Sequence, residues 1–158
     1  MQYEVVGIIG CGLMGSGIAQ VCAQAGCQTY VSDVDERAIA AGLERISQSL
    51  LKGVEKGKLD PQNVEATKAR LIGTTKLDEF SKCDLVVEAV VENMTVKQKI
   101  FEDLDSIVGP HAVLASNTSS LCITELATTT ARPERFVGLH FFSPVPLMKL
   151  VEIVRGLS

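Results

Sequence analysis

The chain has no tryptophan, and its 158 residues include only five phenylalanines and two tyrosines. With 46% hydrophobic residues, such a chain has to build an aliphatic core, and this length is enough to bury a substantial one. No apolar run approaches the roughly 20 residues of a membrane span. The opening Met1-Gln2-Tyr3-Glu4 has no signal or transit character, so a cytoplasmic, one-domain protein without membrane contact is expected. Basic residues are also short: 15 Lys and Arg against 19 Asp and Glu leave a net charge of −4, which argues against a nucleic-acid partner. The cysteines at 11, 22, 27, 83 and 122 are odd in number and lack C-x-x-C spacing. They read as reduced packing residues, and no metal site is expected. Of the two histidines, His111 falls in the turn Gly109-Pro110-His111 and reads as a surface residue without a role.

What is present begins with glycine. Gly10-Cys11-Gly12-Leu13-Met14-Gly15 follows the apolar run Val5-Val6-Gly7-Ile8-Ile9, the pattern of a dinucleotide-binding turn between a strand and a helix. Gly10 permits the tight turn, Gly12 lets the backbone approach a pyrophosphate, and Gly15 lets the helix pack against the strand. The helix N-terminus then faces the anion with free N–H groups. A second strand, Gln28-Thr29-Tyr30-Val31-Ser32, completes a βαβ unit and stops at Asp33, placed to bond the ribose hydroxyls. Val34 follows with no Arg beside it, so a 2′-phosphate would meet only negative charge and NAD is favoured over NADP. The competing reading of Asp33 is a helix N-cap ahead of Glu36.

Beyond Asp33 a long amphipathic helix carries Ile39, Leu43, Ile46, Leu50 and Val54 on one face. Arg45, Ser49, Lys52 and Lys56 share another flank, which on charge alone reads as a solvated face. A shorter helix follows Asp60-Pro61 and reaches Arg70. A crossover of this length exceeds what a βαβ unit needs and suggests a recognition arm. Strands over Arg70–Thr74, Asp84–Val90, Ala112–Ser116 and Phe136–Phe142 then alternate with helical segments. The expected fold is α/β: a doubly wound, mostly parallel, Rossmann-type sheet with a helical arm after the second strand.

Function in such a sheet belongs at the carboxyl ends of the strands. Glu92 and Lys97 follow one strand and read either as site residues or as a helix-capping carboxylate and a surface lysine. Ser116-Asn117-Thr118-Ser119-Ser120 follows another, where turn and capping chemistry would also account for the hydroxyls. His140 lies on the last apolar strand. Glu152 sits within Leu150-Val151-Glu152-Ile153-Val154, an unfavourable place for an unpaired carboxylate. Pro144-Val145-Pro146 between them can turn the chain back and bring Glu152 within hydrogen-bonding distance of His140. A carboxylate on one ring nitrogen fixes the tautomer and strengthens the other as a base. A dinucleotide, a His base with a carboxylate orienter, and a hydroxyl donor suit alcohol oxidation by hydride transfer.

The segment from His140-Phe141-Phe142-Ser143-Pro144 through Glu152, with Ser116–Ser120 and the glycine turn, resembles the L-3-hydroxyacyl-CoA dehydrogenases, especially the bacterial 3-hydroxybutyryl-CoA enzymes. The resemblance implies that His140 is the base, Glu152 its partner and Ser119 a contact to the reacting oxygen and the cofactor. It implies that Gly10, Gly12, Leu13, Met14, Gly15, Asp33, Glu92, Lys97 and Ser143 contact NAD. The acyl-CoA substrate would be held by Ser49 and Lys56 together with Ser119. Members commonly carry Asn at the position of Ser143, whose hydroxyl is shorter. The resemblance also implies a dinucleotide-binding domain over residues 1–158, followed in family members by a helical domain that makes a homodimer and is absent from this chain. Two rival readings are an NAD-binding module without turnover, and a dehydrogenase of small β-hydroxy acids. The latter share the Gly-Leu-Met-Gly turn but typically use a Lys base and lack the His-Phe-Phe segment.

Overall fold

Apolar residues two apart along the central strands give that part of the sheet two buried faces. In the computed structural model, which describes residues 3–157, strand β1 (Val5–Ile9) sends Val6 and Ile8 to one face and Ile9 to the other. Met1, Gln2 and Ser158 lie outside the described residues, so part of the opening segment read for leader character is not covered. After β1 come α1 (Leu13–Gln24), β2 (Gln28–Ser32), α2 (Glu36–Glu55), α3 (Pro61–Ala69) and β3 (Leu71–Gly73). The second half adds β4 (Leu85–Glu88), α4 (Met94–Ile107), β5 (Val113–Ser116), α5 (Ile123–Ala127), β6 (Phe136–Phe141) and β7 (Val151–Arg155). The sheet order is β3-β2-β1-β4-β5-β6-β7, parallel except for antiparallel β7. Strand order therefore reverses between β1 and β4, where such sheets open a ligand crevice beyond their carboxyl ends.

One face buries Val6, Ile8, Val31 and Val87 against Ile18 of α1, Ile46 and Leu50 of α2, and Val64 of α3. The other packs Val86 and Leu114 with Phe101 and Leu104 of α4, Leu126 of α5 and Phe80 of the short 3-10 segment Leu77–Lys82. Four of the few aromatics meet in this second layer, Tyr30 beside Phe80 and Phe101 edge-on to Phe136 at a ring separation of 4.6 Å. The arm after β2 consists of α2 and α3 and is docked on α1 and the sheet, because its apolar residues are part of the core. Strand β4 is shorter than the apolar run implies. It ends at Glu88 because that side chain, rather than a neighbouring strand, accepts the Val90 N–H at 2.6 Å.

Candidate active site

The glycine turn leaves β1 at Gly10, whose φ of +95° belongs to glycine and whose N–H donates to Ser32 at the end of β2. A side chain there would also strike the Ala89 carbonyl, 2.6 Å from where a Cβ would stand. Gly15 is glycine for space: a Cβ would lie 1.7 Å from the Gly10 oxygen. Gly12 is the N-cap of α1, makes no side-chain cap, and has nothing within 4 Å of a notional Cβ. An open volume thus faces an uncapped helix N-terminus, and that cradle suits a pyrophosphate. Beside it, Leu13 is exposed and Met14 half-buried.

Asp33 is half-buried and does not cap α2. Its Oδ2 accepts the Cys11 N–H at 2.6 Å and its Oδ1 the Val34 N–H at 2.7 Å, while the cap of α2 is Asp35, accepting from Ala38. Each Asp33 oxygen retains a lone pair for a ribose hydroxyl. Arg45 shares its flank with Ser49 but is not free there. Its Nη1 donates to the Cys11 carbonyl at 3.1 Å and also reaches the Gly12 carbonyl and the Ser16 hydroxyl, so it clamps the glycine turn. Ser49 remains on the flank and shares a cleft with Arg45, Ser143 and Val145. Lys56, the exposed C-cap residue of α2, is outside that lining.

The last two strands bring the charged pair together. Antiparallel pairing sets His140 opposite Glu152, and His140 Nδ1 lies 3.0 Å from Glu152 Oε2. The carboxylate favours the tautomer with its proton on Nδ1, leaving Nε2 as the acceptor. Phe142 lies against the imidazole at 4.6 Å. The returning loop is seated by Val145, which is buried in contact range of Gly17 on α1. Ser143 stands exposed in that loop.

Between glycine turn and histidine runs a polar network. Glu92 is not a helix cap, since Asn93 caps α4 by accepting from Val96. Its Oε1 instead accepts from the Thr118 hydroxyl, the Ser119 N–H at 3.2 Å and the Ser120 hydroxyl at 3.3 Å. Nor is Lys97 a surface residue: it is 1% exposed, and its ammonium lies 2.6 Å from Glu88 and 3.0 Å from Glu92. Burial works to raise the Glu92 carboxyl, but the Thr118 hydroxyl, the Lys97 ammonium and the Ser119 N–H outweigh it and hold it below its ordinary range. Asn117 Oδ1 accepts the Phe141 N–H at 3.0 Å, which ties the hydroxyl-rich loop to the strand carrying His140. The Ser119 side chain stays exposed.

Sequence reasoning passed over Glu88, and it placed Thr118 and Arg45 without foreseeing their contacts to Glu92 and to the glycine turn. Glu88 had a signal: it is a carboxylate inside Leu85-Val86-Val87-Glu88-Ala89-Val90, the same anomaly that singled out Glu152. All five cysteines are free, and burial pushes the Cys11 thiol up to about 11 and those of Cys22 and Cys83 to about 12. Cys122 is exposed, as is His111. Among the described residues no three metal-ligating side chains cluster, and no helix is long and apolar enough to cross a membrane.

Comparison with known proteins gives the family and agrees with the fold. A "Probable 3-hydroxybutyryl-CoA dehydrogenase" of Bacillus subtilis is 46% identical over 158 residues, covering all of this chain and 55% of the relative. One from Deinococcus radiodurans is 51% identical over 150 residues, 95% of this chain and 54% of that protein. The crystal structure of the (S)-3-hydroxybutyryl-CoA dehydrogenase of Ralstonia eutropha superposes with a TM-score of 0.96 at 44% identity, covering 99% of this chain and 55% of that one. The chain thus spans about half the length of the curated relatives it matches. Residues 5–158 match the family described as "3-hydroxyacyl-CoA dehydrogenase, NAD binding domain", and the chain belongs to that family.

Proposed function

We propose that this chain is the NAD-binding part of a dehydrogenase that reversibly oxidises a (3S)-3-hydroxyacyl-CoA, 3-hydroxybutyryl-CoA being the representative substrate, to the 3-oxoacyl-CoA. The observation that carries this reading is the His140–Glu152 pair, 3.0 Å apart at the same sheet edge as the open glycine turn. NAD, when bound, supplies the acceptor for the hydride that leaves C3. His140 Nε2 takes the proton of the 3-hydroxyl as the C3–O bond becomes a carbonyl, and Glu152 stabilises the imidazolium that results. Ser119 offers its exposed hydroxyl to the reacting oxygen and to the cofactor. The turn from Gly10 through Leu13 and Met14 to Gly15 holds the pyrophosphate, and Asp33 takes the ribose hydroxyls. Glu92 contacts the cofactor directly; Lys97, for which the resemblance implies the same contact, is buried and acts through Glu92 instead. Ser143 is the remaining contact from the returning loop. Ser49 and Lys56 on α2 hold the CoA portion, while Arg45 is engaged at the glycine turn. The free thiols support a reducing compartment, the cytoplasm.

A second reading is NAD binding without turnover by this chain alone. The exposure of Glu152, 55% of its side chain, favours it, because hydride transfer is served by a site that excludes water. Both readings meet in one experiment: NADH formation from L-3-hydroxybutyryl-CoA and NAD, with NAD binding followed by calorimetry. Turnover that falls by about 100-fold or more in His140→Gln while NAD still binds supports the enzyme reading, since a general base contributes at least that much. Turnover unchanged in His140→Gln rejects it. Binding without turnover supports the second reading.

A further inference from the structure

We infer that Glu88 is a positioning residue of this site, a buried carboxylate that acts through Lys97 and Ser116 to hold Glu92 and the loop at Asn117–Ser120 in place. What that loop touches rests on the functional reading above; that Glu88 holds it rests on contacts within the chain.

Glu88 is the last residue of β4 and is fully buried. Its Oε1 accepts the Val90 N–H and the Lys97 ammonium, each at 2.6 Å, and its Oε2 accepts the Ser116 hydroxyl at 2.6 Å. Two routes lead from there to the loop. In the first, Lys97 bridges Glu88 to Glu92, and Glu92 accepts from Thr118, Ser119 and Ser120. In the second, the Ser116 hydroxyl, oriented by donating to Glu88, accepts the Thr118 N–H at 3.3 Å. The loop is neither helix nor strand, so these side-chain bonds set much of its shape.

An apolar pair would fill the same volume at no desolvation penalty, and buried ion pairs are often neutral or costly compared with one. What an apolar pair cannot do is aim a lysine at Glu92 or a hydroxyl at the Thr118 amide. With Glu88 neutral, Lys97 has one carboxylate in place of two and draws Glu92 away from Thr118 and Ser119. The consequence is a looser loop at the place where Ser119 and Glu92 meet their ligands.

Two variants test this on the ligand-free chain. Glu88→Gln keeps the volume and the acceptor for Val90 but removes the charge. The double variant Glu88→Gln/Lys97→Met also removes the orphaned ammonium, so that a folded protein is available even if the single variant is not. Amide hydrogen exchange at Ser119 and Leu121 is expected to accelerate roughly tenfold or more in the double variant, where Glu92 has lost its lysine and Ser116 its charged acceptor, the scale of losing one charge-assisted bond, while amides in β1 keep their rates. In the same protein the NADH dissociation constant is expected to rise about tenfold. Wild-type exchange at Ser119 and Leu121, a uniform acceleration that includes β1, or a loosened loop with unchanged NADH affinity would each overturn the inference. A wild-type chain that fails to bind NADH contradicts the functional reading instead, and local exchange then decides alone whether Glu88 holds the loop.

Discussion

Gly12 and Gly15 are three residues apart and are glycine for opposite reasons. A Cβ on Gly15 would enter the Gly10 carbonyl, whereas one on Gly12 would enter open space. Gly15→Ala is therefore expected to destabilise the fold by about 3 kcal/mol, the upper end of ordinary overpacking. Gly12→Ala is expected to melt within a few degrees of wild type yet bind NADH at least about tenfold more weakly, because its methyl occupies the anion cradle. Thermal melts and NADH titrations of the two variants check the contrast. Glu92 provides a pH signature. A carboxyl held low in the folded chain contributes stability that is present above its unfolded value near 4.5 and lost as pH falls through the lower folded value. The stability difference between wild type and Glu92→Gln is thus expected to be widest above about pH 5 and to close below about pH 4.5, as urea unfolding at stepped pH would show. The roles of Gly10 and Gly15 were legible in the order of residues. Those of Asp33 and Arg45 were legible only in part, since their backbone partners come from 22 to 34 residues away.

At the scale of elements, periodicity was a good guide where elements are long. Ile39, Ile46 and Leu50 appear on the buried side of α2 as their spacing requires, and β2 spans the five residues its pattern implies. The short pieces had no such signal: α5 has five residues and the 3-10 segment six, too few for a helical period to declare itself. Yet the 3-10 segment supplies Phe80 and α5 supplies Leu126 to the layer that holds most of the aromatics. In a chain this poor in aromatic residues, each carries a large share of its layer's buried area. Phe101→Ala removes a fully buried ring stacked edge-on against Phe136 and is expected to cost about 3–5 kcal/mol in urea unfolding, with no change in β6–β7 pairing.

Across the whole molecule, helices cover the sheet unevenly. On β6 and β7, Leu139 is half-buried and Ile153 70% exposed, lining one groove with Leu85, Val113 and Val137. Strand β7 is exposed along its length, so Ile153 contributes little to the fold of this chain. Ile153→Ser is expected to shift unfolding by no more than about 0.5 kcal/mol, as for other exposed positions. It is also expected to lower concentration-dependent light scattering, because an uncovered apolar surface promotes association.

Three properties were determined by the sequence alone: the alternation of strands and helices, the glycine turn that joins β1 to α1, and the residue types of the His140–Glu152 pair. All are local, since periodicity, backbone conformation and side-chain chemistry act over a few residues or a single hairpin. Tertiary structure alone decided that Lys97 is buried between two carboxylates, that Arg45 clamps the glycine turn, and that Glu88 governs a loop nearly thirty residues further along. They depend on how α4 folds back on the end of β4, how α2 docks beside the glycine turn, and how β4 and β5 align so that Glu88 stands beside Ser116. Desolvation then allows a lysine inside the sheet edge only because Glu88 at the end of β4 and Glu92 just beyond it both meet it.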